Sequence, residues 1–131
     1  MDVGEPRDRP VREVMTEHVL GIVPDAPLEV ALRMMAETHV RHLPVVDHRG
    51  CLGLLHETDV LWRLWSTGGA NRPLCDTVMR TPVPCVNATD TVRTAARHMA
   101  RIGTDVTLVL DDGQVVGIVT ASNLVRLLAS G

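Results

Sequence analysis

Thr120 and Asn123 set a hydroxyl and a carboxamide three residues apart, where the strand-like run Val115 to Val119 gives way to an apolar helical pattern. Three residues is about one helical turn, so both side chains stand at a helix start, where free N–H groups and the helix dipole favour an anion. The same pair is also a good N-cap with no ligand at all, and both readings stay open. Sixty-four residues earlier His56 and Asp59 hold the corresponding positions. An acidic residue near a helix start is electrostatically comfortable on its own account. The six histidines raise the question of a metal, and His39 and His42 have the three-residue spacing of a helical ligand pair. That pair spans an expected helix-to-strand junction, however, and no cysteine or carboxylate neighbour completes a set. No metal site is expected; His48 in a turn and His98 in a helix are read as solvated. There is no nucleophile elbow, Walker loop or supported Ser-His-Asp order. Catalysis, and with it a catalytic cofactor, is not expected.

The 131 residues suffice for one ordinary core or for two half-domains. A net charge of −3 argues against nucleic-acid binding, which needs clustered cations to displace counterions. No apolar run approaches the roughly 18 residues of a membrane span. Asp2, Glu5, Arg7 and Arg9 leave no secretory leader in residues 1–10, read as a flexible arm. Three cysteines without a C-x-x-C pair fit reduced thiols in a cytoplasm. All thirteen basic residues are arginine, and lysine, phenylalanine and tyrosine are absent, as expected of a GC-rich, bacterial genome.

The elements that must carry these residues are written twice. Val14-Met15 recurs as Val78-Met79, Ala31 as Ala95, Met35-Ala36 as Met99-Ala100, Val45 as Val109 and Gly53 as Gly117, always sixty-four positions on. An internal repeat that needs no gap in this register implies two related supersecondary units. Each copy opens with a short amphipathic stretch, Val11 to Met15 or Cys75 to Met79. A brief strand follows, Val19 to Val23 or Val83 to Val86. Apolar residues at i, i+3, i+4 and i+7 (Leu28, Ala31, Leu32, Met35; Val92, Ala95, Ala96, Met99) predict a helix in each copy. Pro27 suits the first turn of one helix, and Thr89 or Asp90 the cap of the other. Hairpins follow through Asp47–Gly50 and Asp111–Gly113, and closing helices begin near Glu57 and Ala121. The order is β-α-β-β-α twice, an α/β (α+β) class, with a first repeat over 11–67, a linker over 68–73 and a second repeat over 74–131. Gly53 and Gly117 are read as backbone necessities of the hairpins.

With Val14-Met15-Thr16, Val78-Met79-Arg80-Thr81-Pro82, Pro24 to Leu28, Arg41 to Asp47 and Gly117 to Asn123 in this register, the chain resembles a stand-alone tandem pair of CBS domains, named after cystathionine β-synthase. The resemblance implies a pseudo-twofold module that binds an adenosine-containing ligand (AMP, ADP, ATP, NAD or S-adenosylmethionine) and regulates a protein partner, here unidentified. In the family pattern G-h-x-[S/T]-x-x-[D/N] the hydroxyl meets phosphate and the Asp or Asn meets ribose. The resemblance therefore implies one cleft formed by Thr120 and Asn123 with Val19, Leu20, Val40, Arg41, His42 and Pro44. Arg41 is either a phosphate-facing cation or a solvated strand-edge residue. A second cleft of His56 and Asp59 with Val83, Pro84, Thr104, Asp105 and Val106 is implied to be impaired. Its hydroxyl is replaced by His56, Leu108 stands where the first copy has Pro44, and Asp105 where it has Arg41. Two other readings compete: a dimerisation scaffold that has lost its ligand, and a metal or pH sensor on His56, Asp59 and Asp105.

Trp62 and Trp65, the only aromatic residues, join Leu61 and Leu64 on the helix closing the first copy. They belong either to the core or to an interface, where tryptophan is enriched. The second reading is favoured, and a homodimer is expected.

Overall fold

The computed structural model describes residues 5–68 and 71–130; expectations for 1–4 of the arm, 69–70 of the linker and residue 131 lie outside them. The predicted periodicities become α1 (Leu28–Thr38), β1 (His42–Asp47), β2 (Gly50–His56), α2 (Glu57–Thr67), β3 (Cys85–Asn87), α3 (Val92–Ile102), β4 (Val106–Asp111), β5 (Gln114–Thr120) and α4 (Ala121–Ser130). No described helix is long and apolar enough to cross a membrane. The architecture is α+β, in two units: a central one, Leu20–Val83, and a terminal one joining the chain up to Val19 with Pro84 onward.

In the central unit α1 buries Leu28, Ala31 and Met35 against Leu43 and Val45 of β1, Leu55 of β2 and Val60 of α2. In the terminal unit Val92 and Ala95 of α3 meet Val86, Val109 and Val119. Both hairpins are antiparallel and bulged at the same place: Val45 faces Gly53 but Val46 faces Cys51, and Val109 faces Gly117 but Leu110 faces Val115.

The strand expected over Val19 to Val23 does not form. In the terminal unit β3 lies parallel to β4, and the Leu108 N–H donates to the Pro84 carbonyl at 2.9 Å. The central counterpart of Leu108 is Pro44, which has no N–H to give. Pairing there shrinks to one parallel bridge between Ile22 and Val45, held by Ile22 N–H to Pro44 and Val46 N–H to Ile22, both at 2.9 Å. The expected cap of α3 is also corrected by one position. Thr91 Oγ1 accepts from the Thr94 N–H at 3.1 Å, while the Asp90 carboxylate accepts from the Asn87 N–H at 2.9 Å.

The opening segment of each sequence repeat packs in the unit that carries the other repeat's helices and hairpin. The Val92 N–H, one of the donors a helix start leaves unpaired, bonds the Arg9 carbonyl at 2.8 Å, and the Leu28 N–H bonds that of Pro73 at 2.9 Å. Val11 then enters the core of the terminal unit and Cys75 that of the central one. The segments end as β-bridges, Thr16 with Ile118 and Arg80 with Leu54. Asp8 of the arm pairs with Arg93 at 3.0 Å. Gly117 and Gly53 are necessary for this packing and not for hairpin bending alone. A Cβ on Gly117 would stand 2.7 Å from Met15 Cγ, and one on Gly53 would stand 2.7 Å from Met79 Cγ and 2.9 Å from its Cβ.

Those methionine atoms lie close to their own backbone and have little room to yield. Gly117→Ala and Gly53→Ala should each cost about 1–3 kcal/mol by overpacking, read as a fall in urea midpoint. Adding Met15→Ala to Gly117→Ala should cost less than the sum of the two single changes; strict additivity would refute the contact.

Candidate ligand site

Thr120 closes β5 and precedes α4, and Asn123 sits at the third position of that helix, 8% exposed. The two form a reciprocal cap. Asn123 Oδ1 accepts the Thr120 backbone N–H at 2.8 Å and the Thr120 hydroxyl at 3.0 Å, and Asn123 N–H reaches Thr120 Oγ1 at 3.4 Å. The hydroxyl hydrogen is directed at Asn123, so a phosphate would have to draw it away from an oxygen that the Thr120 backbone N–H continues to satisfy. What remains unused is the Asn123 amide nitrogen: it makes no hydrogen bond among the described residues, and it is absent from the fully enclosed orphan atoms. That leaves up to two N–H donors at a helix start. Val106 pairs with Thr120 across the hairpin, and the Asp105 carbonyl accepts the Ala121 N–H at 2.9 Å.

The corresponding junction of the central unit is built differently. His56 makes no side-chain cap to α2. Its ring stands edge-on to that of His42, its partner across the hairpin, with centroids 5.0 Å apart. Asp59 is gripped by Arg80 through two bonds of 2.7 and 3.0 Å. That guanidinium holds the Asp59 carboxyl below its ordinary 3.8, against partial desolvation that pushes it up. Arg80 was missed from sequence, although the repeat contains the clue. Arg80 corresponds to Thr16 as Asp59 corresponds to Asn123, so neutral residues hold in the terminal unit the positions that the ion pair holds in the central one.

Of the remaining candidates, Val19, Pro84 and Thr104 fall in the terminal unit, and Leu20, Val40, Arg41, Pro44 and Val83 in the central one. Arg41 is exposed, and its carbonyl accepts the Glu57 N–H at 2.9 Å. His39 ends α1 in the left-handed conformation (φ 59°), and His42 begins β1, so the two do not share a helix. Burial, with a smaller contribution from Asp76, pushes the Cys75 thiol up to about 11 and leaves it inert. Trp62 and Trp65 are 68% and 75% exposed within the chain and belong to neither core. Val125 and Leu128 of α4 are similarly bare, at 64% and 71%, which the sequence reading did not single out.

Two small α+β units, each offering a helix start beside a hairpin, define a paired-repeat class of protein. The model of the CBS domain matches residues 11–66 and 75–130, and the chain belongs to that family. CBS domain pairs are regulatory modules. An uncharacterized protein of Methanocaldococcus jannaschii, MJ1225, is 28% identical over 124 residues, covering 94% of this chain and 44% of that protein. The chain spans less than half the length of the first curated relatives it matches. Among solved structures, an uncharacterized conserved protein from Pyrococcus horikoshii superposes with a TM-score of 0.83 at 26% identity, covering 99% of this chain and 95% of that one. The CBS domain pair of protein MJ0100, in complex with 5′-methylthioadenosine and S-adenosyl-L-methionine, also gives 0.83, at 21% identity over 94% of this chain and 98% of that one.

The Asp59–Arg80 pair gives stability a pH dependence of definite sign. At neutral pH the carboxylate is ionised in both folded and unfolded chains and the pair contributes fully. As pH falls through 3.8 the unfolded chain takes up its proton first, and the contribution is lost as pH drops through the lower folded value. Urea midpoints measured from neutral pH down to about pH 3 should fall less steeply in Asp59→Asn than in the parent; parallel curves would show that the pair does nothing for stability.

Proposed function

We propose that the chain is a non-catalytic sensor of an adenosine-containing ligand (AMP, ADP, ATP, NAD or S-adenosylmethionine) and signals its occupancy to a protein partner. The observation that carries this reading is the Asn123 amide, largely buried yet with unused donors at a helix start. Ribose hydroxyls are acceptors of the right kind for it. The ligands of the MJ0100 pair support the adenosine class. The family pattern supplies the rest of the proposed set: Thr120 towards phosphate, with Val19, Leu20, Val40, Arg41, His42 and Pro44 contributing around the base. The junction of His56 and Asp59, with Val83, Asp105 and Val106 in its proposed set, is the weaker one, because Arg80 already neutralises its carboxylate. The three cysteines, odd in number and without a C-x-x-C pair, support a reducing, cytoplasmic setting.

A ligand at one hundred times its Kd should stabilise the fold by about 2.7 kcal/mol, and calorimetry should count one site per chain. Asn123→Ala should weaken binding about tenfold, the loss of one good hydrogen bond. Thr120→Val should weaken AMP more than adenosine and should also cost about 1 kcal/mol of stability as a lost cap. Two equal sites per chain, or equal losses for AMP and adenosine, would contradict these assignments. No thermal shift with any of the five ligands would favour a ligand-free scaffold, a reading that the self-contained Thr120–Asn123 cap and the Asp59–Arg80 pair would then explain.

We also infer a homodimer through α2. Leu61, Trp62 and Trp65 are exposed together, and large apolar patches of this kind mark association surfaces. A twofold contact uses the same patch on both subunits. Trp62→Arg with Trp65→Arg should give a folded monomer by light scattering, since neither side chain supports the core. A parent chain that is monomeric at high micromolar concentration would rule the dimer out.

A further inference from the structure

A cavity of about 340 Å³ lies beside α3, wholly within the terminal unit, with Cys85, Asp90, Thr94, Arg97, His98 and Arg101 in its wall. The hydrogen-bonding inventory of that wall is lopsided. Arg97 is exposed and makes no ion pair or hydrogen bond with any described residue. An Arg101 nitrogen stands 3.1 Å from His98 Nδ1. A guanidinium only donates, so Nδ1 accepts and the ring carries its hydrogen on Nε2. Nε2 is closed off from solvent and has no partner among the described residues, so His98 is not the solvated side chain expected from sequence. The one carboxylate, that of Asp90, already accepts the Asn87 N–H. The Thr94 hydroxyl shares a hydrogen with that of Thr91 at 3.1 Å.

Donors thus outnumber acceptors throughout the wall, and what would balance it is an acceptor-rich group bearing negative charge. Arg97 and Arg101 stand four residues apart on one helix, close enough for both guanidinium forks to meet one oxyanion. Arginine is the side chain best shaped for such a group. The volume lies at the low end of small-molecule sites and suits a compact solute. We propose that this cavity is an oxyanion-binding site, in which Arg97 and Arg101 hold the phosphoryl or carboxylate oxygens of a small metabolite and Thr94 adds a hydroxyl. The site uses none of the residues assigned to the adenosine ligand and stands or falls separately from that reading.

Cys85 provides the readout. It is the exposed thiol, whereas Cys75 is buried and Cys51 half-buried. Iodoacetamide labelling of the intact protein, followed at the Cys85 peptide by mass spectrometry, should slow about tenfold once an anion reaches about ten times its Kd. Pyrophosphate and citrate are the two probes, compared with sodium chloride at equal ionic strength; whichever protects identifies the phosphoryl or the carboxylate class. Arg97→Gln with Arg101→Gln should abolish the protection. Arg97→Gln alone, at an exposed residue with no partner, leaves the fold undisturbed and must reduce it. Asn123→Ala should leave it intact. The proposal is overturned if neither anion outdoes sodium chloride, if protection survives the loss of Arg97, or if it disappears with Asn123.

Discussion

Each unit depends on a strip of chain that its own helix–hairpin segment does not contain. Arg9 and Pro73 offer carbonyls to the first N–H groups of α3 and α1. Val11 and Cys75 plug the two cores. Met15 and Met79 lie on Gly117 and Gly53, and Thr16 and Arg80 bridge the hairpins at Ile118 and Leu54. Remove the strip and a helix start loses a partner, a core loses a fully buried side chain, and a glycine-floored groove opens to water. A repeat cut at its sequence boundary would lack all three. Folding of either unit therefore requires contacts between residues far apart in the chain, a slow class of contact because loop closure must come first.

The common frame lets the two halves diverge where chemistry is done. Replacing an N–H-bearing leucine by Pro44 costs the central unit a strand while leaving its hairpin in register. Where the terminal unit has the neutral Thr16 and Asn123, the central one has Arg80 and Asp59, which turn its helix start into a self-neutralised ion pair. An ion pair is internally satisfied, and a ligand would have to break it; a carboxamide whose oxygen is used and whose nitrogen is not can take a ligand at no such cost. The asymmetry between the junctions follows from three differences on a shared scaffold: Arg80 for Thr16, His56 for Thr120 and Asp59 for Asn123.

The surfaces divide in a similar way. On α2 the apolar residues outnumber what one core can cover, and Trp62 and Trp65 are left outside. On α3 the buried stripe of Val92, Ala95 and Met99 is narrow, which frees the other positions for arginines. On a protein with a net charge of −3, Arg97 and Arg101 share one helix, neither in an ion pair with a described carboxylate. Concentrated against a cavity wall poor in acceptors, they create a local potential opposite in sign to that of the whole chain.

Much of this was legible from residues alone. The spacing of Leu28, Ala31 and Met35, and of Val92, Ala95 and Met99, determined two helices and their buried faces, because an i, i+3, i+7 pattern is a local property of a 3.6-residue helix. Alternation around Asp47–Gly50 and Asp111–Gly113 determined both hairpins to within a residue or two. The motif Gly117 to Asn123 located the candidate site, and the repeat itself pointed to the family. Tertiary structure alone decided which unit each opening segment joins, since a repeat of constant spacing looks the same whether Met15 serves its own hairpin or the other. It also decided that Asp59 meets Arg80, that the Thr120 hydroxyl hydrogen is directed at Asn123, and that His98 is enclosed. These are contacts fixed by the path of the chain in space, and periodicity in a sequence records only neighbours a turn or a strand-pair away.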